Sequence, residues 1–201
     1  MKPEESGIEG IADFFHAVER LKLEKRKGWV MRKVKLPESV ADHSFRLALM
    51  AMVFADEEGL DAGRAVKLAL VHDLPEAVCG DAVAMPGDEE RPERRREKFE
   101  REQKALEQLL ERLGGRAALE IRTLWGEFEE RKTGEAILVY ELDRLEAIFQ
   151  AKEYAERQEL KARMRVFFEY GNSRLRNERL RKVFGLLLKE IQGVSKNEAG
   201  P

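Results

Sequence analysis

Apolar residues recur at spacings of three and four along most of the chain, and this helical period limits the possible folds more than any other feature. The first apolar stripe consists of Ile8, Ile11, Phe15, Val18 and Leu21. Alternation of apolar and polar residues, the pattern of a half-buried β-strand, is not convincing in any window. The nearest case, residues 30–36, is short. We therefore predict an all-α chain.

Capping residues, glycines and prolines divide this pattern into about eight or nine helices. Ser39, with Asp42 three residues later, predicts a helix that begins with a capping box. Asp61 is a good N-cap for the next helix, which should end near residues 73–74 because Pro75 disfavours the α conformation before it. The predicted helical segments are one that ends at Gly28, then 39–59, 61–74, 75–79, 92–113, 116–131, 134–157 (capped by Thr133), 160–170 and 173–191 (capped by Ser173, after Gly171), with a loop at 81–92.

Length and charge indicate one domain. The chain has 201 residues, of which 38% are charged and 43% hydrophobic, so a sizeable core is available. The net charge is only −2, which argues against a generic basic surface for nucleic acid and against an acidic disordered tail. We predict a single helical bundle over residues 1–192 and a flexible C-terminal tail over residues 193–201.

Three further features bear on location. The longest stretch without Asp, Glu, Lys or Arg has nine residues, 47–55, whereas a membrane helix needs about 20 apolar residues. The N-terminal residues MKPEESGIEG lack the apolar core of a signal peptide. The single cysteine, Cys79, can form neither an internal disulfide nor a cysteine-based zinc site. We expect a cytoplasmic chain with no membrane and no nucleic-acid partner.

The histidines are the first candidates for chemistry, and the chain has only three, at positions 16, 43 and 72. His72 is followed directly by Asp73, and Pro75 places this pair at the end of a predicted helix. Adjacent residues on a regular helix point about 100° apart, so two neighbours converge on one ligand most easily where the helix ends. Taken alone, such a pair is more often an incidental structural contact.

Two other polar residues lie within apolar parts of predicted helices. His43 lies near the apolar face of the helix that begins at Ser39, and Asp143 lies between apolar neighbours in the segment 134–157. A carboxylate is costly to bury there unless it is paired or bound to a metal. Two interpretations stay open: a metal site, or a satisfied core histidine with a salt bridge from Asp143 to Arg144 or Arg32.

In chain order, His43, the His72–Asp73 doublet and Asp143 resemble the H…HD…D signature of the HD-domain metal-dependent phosphohydrolases. Short blocks between Gly28 and Tyr154 make the chain similar to the 5′-deoxynucleotidase branch of that family. These blocks are residues 28–32 (GWVMR), 37–43 (PESVADH), 70–73 (LVHD), Glu76, 80–81 (GD), 142–146 (LDRLE) and 150–151 (QA). The resemblance implies an all-helical HD domain, a homodimer and hydrolysis of deoxyribonucleoside 5′-monophosphates.

The resemblance also implies roles for single residues. The four signature residues would hold a divalent metal ion, and two imidazoles with two carboxylates suit Mn²⁺, Co²⁺, Fe²⁺ or Ni²⁺, with Zn²⁺ or Mg²⁺ as alternatives. Glu76 would be the catalytic acid or base, and Asp81 would contact the sugar 3′ hydroxyl. The structural alternatives are a first-turn carboxylate that stabilises a helix dipole for Glu76 and an ordinary turn for Asp81.

The phosphate-binding residue is the point where this chain departs from the family. Bacterial members place an arginine directly before the tryptophan, where this chain has Gly28. Arg26, Lys27 and Arg32 are therefore the candidates, and the planar fork of arginine suits phosphate better than lysine does. Trp29 would pack against the sugar or base, or else plug the core after the first helix.

Three functions stay open. The first is a 5′-deoxynucleotidase that acts on a small-molecule nucleoside monophosphate. The second keeps the HD fold but hydrolyses another small phosphate ester or a phosphodiester. The third is a non-catalytic helical module that binds a nucleotide or a protein. A degenerate module should have lost a ligand, whereas all four ligands, Glu76 and Asp81 are present.

Overall fold

The computed structural model describes residues 3–82 and 91–197, and helices account for its regular structure apart from one isolated bridge between Lys25 and Ser39. The helices are α1 (Pro3–Val18), α2 (Arg20–Leu23), α3 (Lys27–Met31), α4 (Val40–Glu57), α5 (Ala62–Val71), α6 (Glu76–Cys79), α7 (Pro92–Leu113), α8 (Gly115–Glu130), α9 (Gly134–Arg157), α10 (Lys161–Arg174) and α11 (Glu178–Asn197). Within these ranges, eight helices have ten or more residues and three are short segments of four or five. The all-α prediction is confirmed. None of the described helices combines the length and apolar character that a membrane span requires.

The N-caps predicted for three of the long helices are present. Ser39 and Asp42 form a capping box, in which Ser39 Oγ accepts from the Asp42 N–H at 3.1 Å and the Asp42 carboxylate accepts from the Ser39 N–H at 2.8 Å. The side chains of Asp61 and Thr133 each accept from the backbone N–H three residues later. These caps satisfy donors that the first turn leaves unpaired, and so fix where α4, α5 and α9 begin.

Two predicted helix ends are wrong. Gly28 does not end the first helix, because α1 and α2 end before it and Gly28 lies inside α3. Gly171 and Ser173 both lie within α10, and α11 begins only at Glu178. A Cβ on Gly171 would lie 2.2 Å from Cδ1 of Ile148, so this glycine permits close packing of α10 on α9. Tertiary packing, which local sequence does not show, determines that role.

Two other predictions fall partly outside the described residues. The predicted loop at 81–92 includes residues 83–90, which the structure does not describe, while α7 begins at Pro92 as expected. The predicted tail at 193–201 begins within α11, which continues to Asn197. Residues 198–201 lie outside the described part of the chain, and the boundary of the domain at 192 stays a prediction.

Helix α9 lies at the centre of the bundle and packs against α4, α5, α8, α10 and α11. Its inward residues are almost fully buried: Leu138, Val139, Leu142, Leu145, Ile148 and Ala151. Burial of each Leu, Ile or Val side chain stabilises the fold by about 1.5–3 kcal/mol. Because α4, α5 and α9 also pack on one another, residues that point into their junction are held by the best-packed part of the core.

Candidate metal centre and active site

The four candidate metal ligands lie together where α4, α5 and α9 meet. His43 lies on α4, His72 is the C-cap of α5, Asp73 follows it, and Asp143 lies on α9. One ligand atom from each of His43, His72 and Asp73 lies within 4.8 Å of the other two. Asp143 Oδ1 lies 3.2 Å from His43 Nε2. Residues 100 positions apart in sequence thus form one buried cluster.

The two imidazoles each have one engaged and one unpartnered nitrogen. Nδ1 of His43 lies 2.5 Å from Glu146 Oε2, and Nδ1 of His72 lies 2.8 Å from the carbonyl oxygen of Ala69. Within residues 3–82 and 91–197, both Nε2 atoms are buried without a hydrogen-bond partner, although Asp73 Oδ2 lies 3.0 Å from Nε2 of His72. A buried polar atom without a partner costs about 1–3 kcal/mol, and this cost is removed if the atom binds a cation.

Both carboxylates of the cluster are held in the ionised form. Burial raises the pKa of Asp73, but His72 and Arg26 lower it by more, so it lies well below its usual range. Burial also raises the pKa of Asp143, and Arg144 together with the neighbouring imidazoles lowers it further. Two anionic oxygen ligands are therefore available at neutral pH.

The environment of His43 favours positive charge at its Nε2 atom. Burial and Arg26 lower the pKa of this imidazole, but Glu146 and Asp143 raise it by more, to about 10. A divalent ion at Nε2 would supply the same charge and release the proton, as metal binding to histidine requires. Two imidazole nitrogens and two carboxylate oxygens therefore fit a divalent metal ion.

Arg26 is a cation that lies beside both carboxylates. It lies between α2 and α3, and its Nη1 donates to Asp73 Oδ2 at 3.0 Å. Its Nη2 lies 3.8 Å from Asp143 Oδ1. Burial lowers the pKa of Arg26, but these carboxylates, with Asp81 and Glu76, raise it above its usual value. Among the three phosphate-binding candidates, Arg26 is the one that the structure brings to the metal ligands.

The other two basic candidates make different contacts. Lys27 Nζ donates to the backbone carbonyl of Asp81 at 2.5 Å and lies 3.7 Å from Glu24 Oε1. Arg32 Nη1 donates to a backbone carbonyl of α3 at 3.0 Å, and its guanidinium lies 4.6 Å from the ring centre of Phe167. Lys27 thus anchors the segment that carries Asp81, whereas Arg32 is directed towards α10.

Trp29 lies in the core. Its side chain is 1% exposed, and Nε1 donates to Glu38 Oε1 at 2.8 Å. The indole packs edge-on against Tyr154 and at 4.1 Å, centre to centre, against Phe167. This position is the one expected of a core plug, and contact of Trp29 with a sugar or base stays a prediction.

Glu76 and Asp81 flank the ligands at the two ends of α6, and both are buried. In the described part of the chain, Glu76 Oε2 has no hydrogen-bond partner. Burial, Asp73 and Asp81 raise the pKa of Glu76 well above its usual range, which favours the protonated form of this carboxyl group. The Asp81 carboxylate accepts from the Lys27 N–H, and its own N–H donates to Glu24 Oε1 at 3.0 Å. A proton donor and a fixed acceptor therefore adjoin the cluster.

A protein-family model with the description "HD domain" matches residues 18–184 of this chain. The chain belongs to the HD-domain family. The 5′-deoxynucleotidase HDDC2 of Bos taurus is 40% identical over 163 residues, which cover 81% of this chain and 77% of the bovine one. The 5′-deoxynucleotidase HDDC2 of Xenopus laevis is 35% identical over 185 residues, which cover 92% of this chain and 89% of the Xenopus chain. A solved structure from Magnetospirillum magnetotacticum, a "Predicted metal-dependent phosphohydrolase", is 26% identical, with a TM-score of 0.69 over 98% of this chain and all of that one.

In this HD domain Asp143 both faces the cluster, as a metal ligand would, and forms a salt bridge with Arg144. Oδ1 faces His43, as expected of a ligand, while Oδ2 accepts from Arg144 Nη1 at 2.5 Å. The guanidinium of Arg144 also lies 3.5 Å from the ring centre of Tyr140. The salt bridge therefore neutralises one oxygen and orients the other towards the cluster.

Sequence reasoning missed two residues of the HD domain behind the cluster: Glu146, which contacts His43, and Arg46, which contacts Glu146. Glu146 has no exposed surface and accepts from both His43 and Arg46. Its spacing was a usable signal, since residues three apart on a helix share a face and Glu146 follows Asp143 by three. Arg46 had no comparable signal, because a single arginine on an amphipathic helix is ordinarily a solvated side chain.

Proposed function

We propose that this HD domain is a metal-dependent phosphohydrolase that converts deoxyribonucleoside 5′-monophosphates and water to deoxynucleosides and phosphate. The observation that carries the proposal is the buried convergence of two unpartnered imidazole nitrogens with two ionised carboxylates. The names of relatives that are 35–40% identical over most of the chain support the substrate class. The small-molecule partner is thus a nucleoside monophosphate.

A divalent metal ion would counter the slow hydrolysis and the charge repulsion that are typical of phosphate monoesters. Phosphate monoesters hydrolyse extremely slowly without a catalyst, and their negative charge repels an attacking hydroxide. A divalent ion held by His43, His72, Asp73 and Asp143 supplies, when bound, a Lewis acid and a lowered pKa for water. We propose Mn²⁺, Co²⁺, Fe²⁺ or Ni²⁺ as the ion, since nitrogen and oxygen ligands together suit these metals.

Arg26 is proposed to hold the phosphate. The carboxylates of Asp73, Asp143 and the adjoining Asp81 would repel a dianion unless fixed positive charge lay beside them. Arg26 supplies that charge from a buried position, and its planar guanidinium can donate two parallel hydrogen bonds to phosphate oxygens. It therefore takes the role that other members give to an arginine at the position of Gly28.

Glu76 is proposed as the general acid. Its raised pKa favours the acid form that a proton donor requires, and its buried Oε2 atom has no competing partner among the described residues. It can donate that proton to the departing 5′ oxygen, a role that typically accelerates a reaction 10²–10⁴-fold. Asp81, fixed by the Lys27 N–H, is proposed to accept a hydrogen bond from the sugar 3′ hydroxyl.

A substrate panel tests the proposal. The protein is stripped of metal with a chelator and reloaded with Mn²⁺, Co²⁺ or Mg²⁺ one at a time. Phosphate release is then measured from dAMP, dUMP, AMP and a generic phosphodiester. We expect release from the deoxynucleotides in preference to AMP. Release from none of the deoxynucleotides with any of these metals would contradict the proposal, and turnover of the phosphodiester alone would favour a different HD-domain reaction.

We further propose that the protein is a homodimer and that it is cytoplasmic. One face of α4 carries exposed apolar side chains at helical spacing: Phe45, Leu49, Met52 and Val53, which are 45–66% exposed. Contiguous apolar surface of this kind is typical of a protein interface. Light scattering after size exclusion should give twice the 23.2 kDa chain mass, and a monomer at micromolar concentration would contradict the dimer.

A further inference from the structure

The two histidine ligands are held in different ways. Nδ1 of His72 lies 2.8 Å from the carbonyl of Ala69, one turn earlier in its own helix. Nδ1 of His43 lies 2.5 Å from the carboxylate of Glu146, which belongs to another helix. A backbone carbonyl is neutral, whereas a carboxylate carries a full charge. The imidazole of His43 therefore has an anion behind it and that of His72 does not.

Glu146 is fully buried and needs a cation to remain ionised there. An unpaired buried carboxylate is costly enough that it would take up a proton instead. Arg46 supplies the pairing from α4, one turn after His43, with Nε at 2.7 Å and Nη2 at 2.6 Å from Glu146 Oε1. Each oxygen of Glu146 thus has its own partner, Oε1 the guanidinium and Oε2 the imidazole.

Arg46 is in turn fixed by two further residues of α9. Its Nη2 donates to Gln150 Oε1 at 2.8 Å and its Nη1 to Glu153 Oε1 at 3.0 Å. Residues 146, 150 and 153 share one face of the helix because they are separated by four and three positions. The planar guanidinium can satisfy all three acceptors in only one orientation, so the Glu146 carboxylate is held against rotation.

We propose that Glu146 is a positioning residue for the metal centre: with Arg46 behind it, it holds the Nδ1 proton of His43 and directs Nε2 of that imidazole to the ion. The anionic carboxylate also makes the imidazole a stronger ligand. Nε2 already points into the cluster, 3.2 Å from Asp143 Oδ1. The inference rests on the proposed metal centre but not on the proposed substrate.

The main test is Glu146→Gln, which keeps the shape and an acceptor oxygen but removes the charge. We expect the Kd for Mn²⁺, measured by calorimetric titration of chelator-stripped protein, to rise about 10- to 100-fold. Glu153→Gln is the matched control, because it makes the same change on the same helix and at the same Arg46. It has no contact with the imidazole, and its Kd should stay within about twofold of wild type.

A second measurement separates positioning from a general loss of structure. In protein loaded with diamagnetic Zn²⁺, the Hδ1 proton of His43 should give a downfield proton resonance that exchanges slowly, and three histidines make the assignment tractable. In Glu146→Gln this resonance should move upfield and exchange faster, while Glu153→Gln should leave it unchanged. If Glu146→Gln does not fold, the double variant Arg46→Met with Glu146→Leu removes both buried charges together and should still bind Mn²⁺ weakly.

The outcomes are distinguishable from those of the substrate panel. Wild-type affinity for Mn²⁺ in the folded Glu146 variants, with an unchanged Hδ1 resonance, would overturn the positioning role. Failure of the wild-type protein to bind Mn²⁺ would overturn it as well. Mn²⁺ binding that weakens as expected, in a protein that hydrolyses no deoxynucleotide, would support the positioning role and contradict only the proposed substrate.

Discussion

Arg26 donates a hydrogen bond of 3.0 Å to Asp73, at the Oδ2 atom that also lies 3.0 Å from Nε2 of His72. A guanidinium therefore already occupies one side of an oxygen that a divalent ion would share. Because like charges repel, Arg26 and the ion compete for Asp73, whereas a phosphate dianion would attract both. Removal of Arg26 should therefore separate metal binding from substrate binding.

We expect Arg26→Ala to leave the Kd for Mn²⁺ unchanged or lower, because a competing cation is lost. The same change should reduce kcat/KM for dAMP by about 100-fold or more, since a buried charge-assisted contact to phosphate is removed. Arg32→Ala is the matched control and should keep near wild-type activity, because Arg32 contacts Phe167 and α3. Equal losses in the two variants would contradict the role of Arg26.

Asp73→Ala should abolish both Mn²⁺ binding and hydrolysis while the helical circular dichroism spectrum is retained. One anionic ligand is lost, but the backbone of the turn after α5 is held by its own hydrogen bonds. Asp61→Ala serves as the control, because it removes only an N-cap and should cost about 1 kcal/mol of stability without loss of metal. Full activity in Asp73→Ala would show that the metal lies elsewhere.

Glu76→Gln should spare Mn²⁺ binding but slow turnover by roughly 100-fold, the usual scale for a general acid. Because burial, Asp73 and Asp81 raise the pKa of Glu76, the acid form persists to a higher pH than in an ordinary carboxyl group and is lost as the pH rises through that pKa. The wild-type rate should therefore fall on the alkaline side, and the variant should lack this limb. A variant with an unchanged pH–rate profile would show that another group supplies the proton.

Structural features that depend only on neighbouring residues were predictable from the sequence. The caps of α4, α5 and α9 follow from short patterns, whereas the set of His43, His72, Asp73 and Asp143 was predicted from the resemblance to the HD-domain family. These patterns work because helix ends and adjacent ligands depend on a few neighbouring residues. The helices then bring the ligands together through packing of their apolar faces.

The choice among the basic residues was not predictable in the same way. Arg26 reaches the metal ligands because two backbone contacts fix the segment after α2. The Arg26 N–H donates to the carbonyl of Glu38 at 3.1 Å, and Lys25 forms a β-bridge with Ser39. The direction of the Arg26 side chain thus depends on pairing with residues 12 or 14 positions away in the sequence. Trp29 likewise lies in the core because the rings of Tyr154 and Phe167, on helices distant in sequence, pack against it.

Paired glycine substitutions test the packing role assigned to Gly171. Gly171→Ala should destabilise the protein by about 1–3 kcal/mol, because its Cβ would lie 2.2 Å from Ile148 Cδ1 in a packed core. Gly126→Ala within α8 has nothing within 4 Å of the added atom and should stabilise the helix by about 0.5–1 kcal/mol. Urea unfolding of both variants measures the difference, and equal effects would contradict the close approach of α10 to α9.

The half-buried carboxyl group of Glu38 should make stability depend on pH. Burial and Glu146 raise its pKa to about 7 in the folded protein, from an ordinary value of 4.5. Between these two values the folded state binds more protons than the unfolded state, so the free energy of unfolding falls as the pH rises and levels off above about 7. A difference of this size corresponds to about 1–3 kcal/mol.

Glu38→Gln keeps an acceptor for the Trp29 N–H but cannot ionise, so it should remove this contribution. Urea unfolding in the presence of a chelator, at intervals from pH 5 to pH 8, gives the comparison without a metal contribution. The free energy of unfolding of Glu38→Gln minus that of wild type should grow by about 1–3 kcal/mol across this range. Glu153→Gln should run parallel to wild type. Parallel curves for Glu38→Gln and wild type would instead mean that Glu38 is already ionised at pH 5 and is stabilised there by the Trp29 N–H and neighbouring cations.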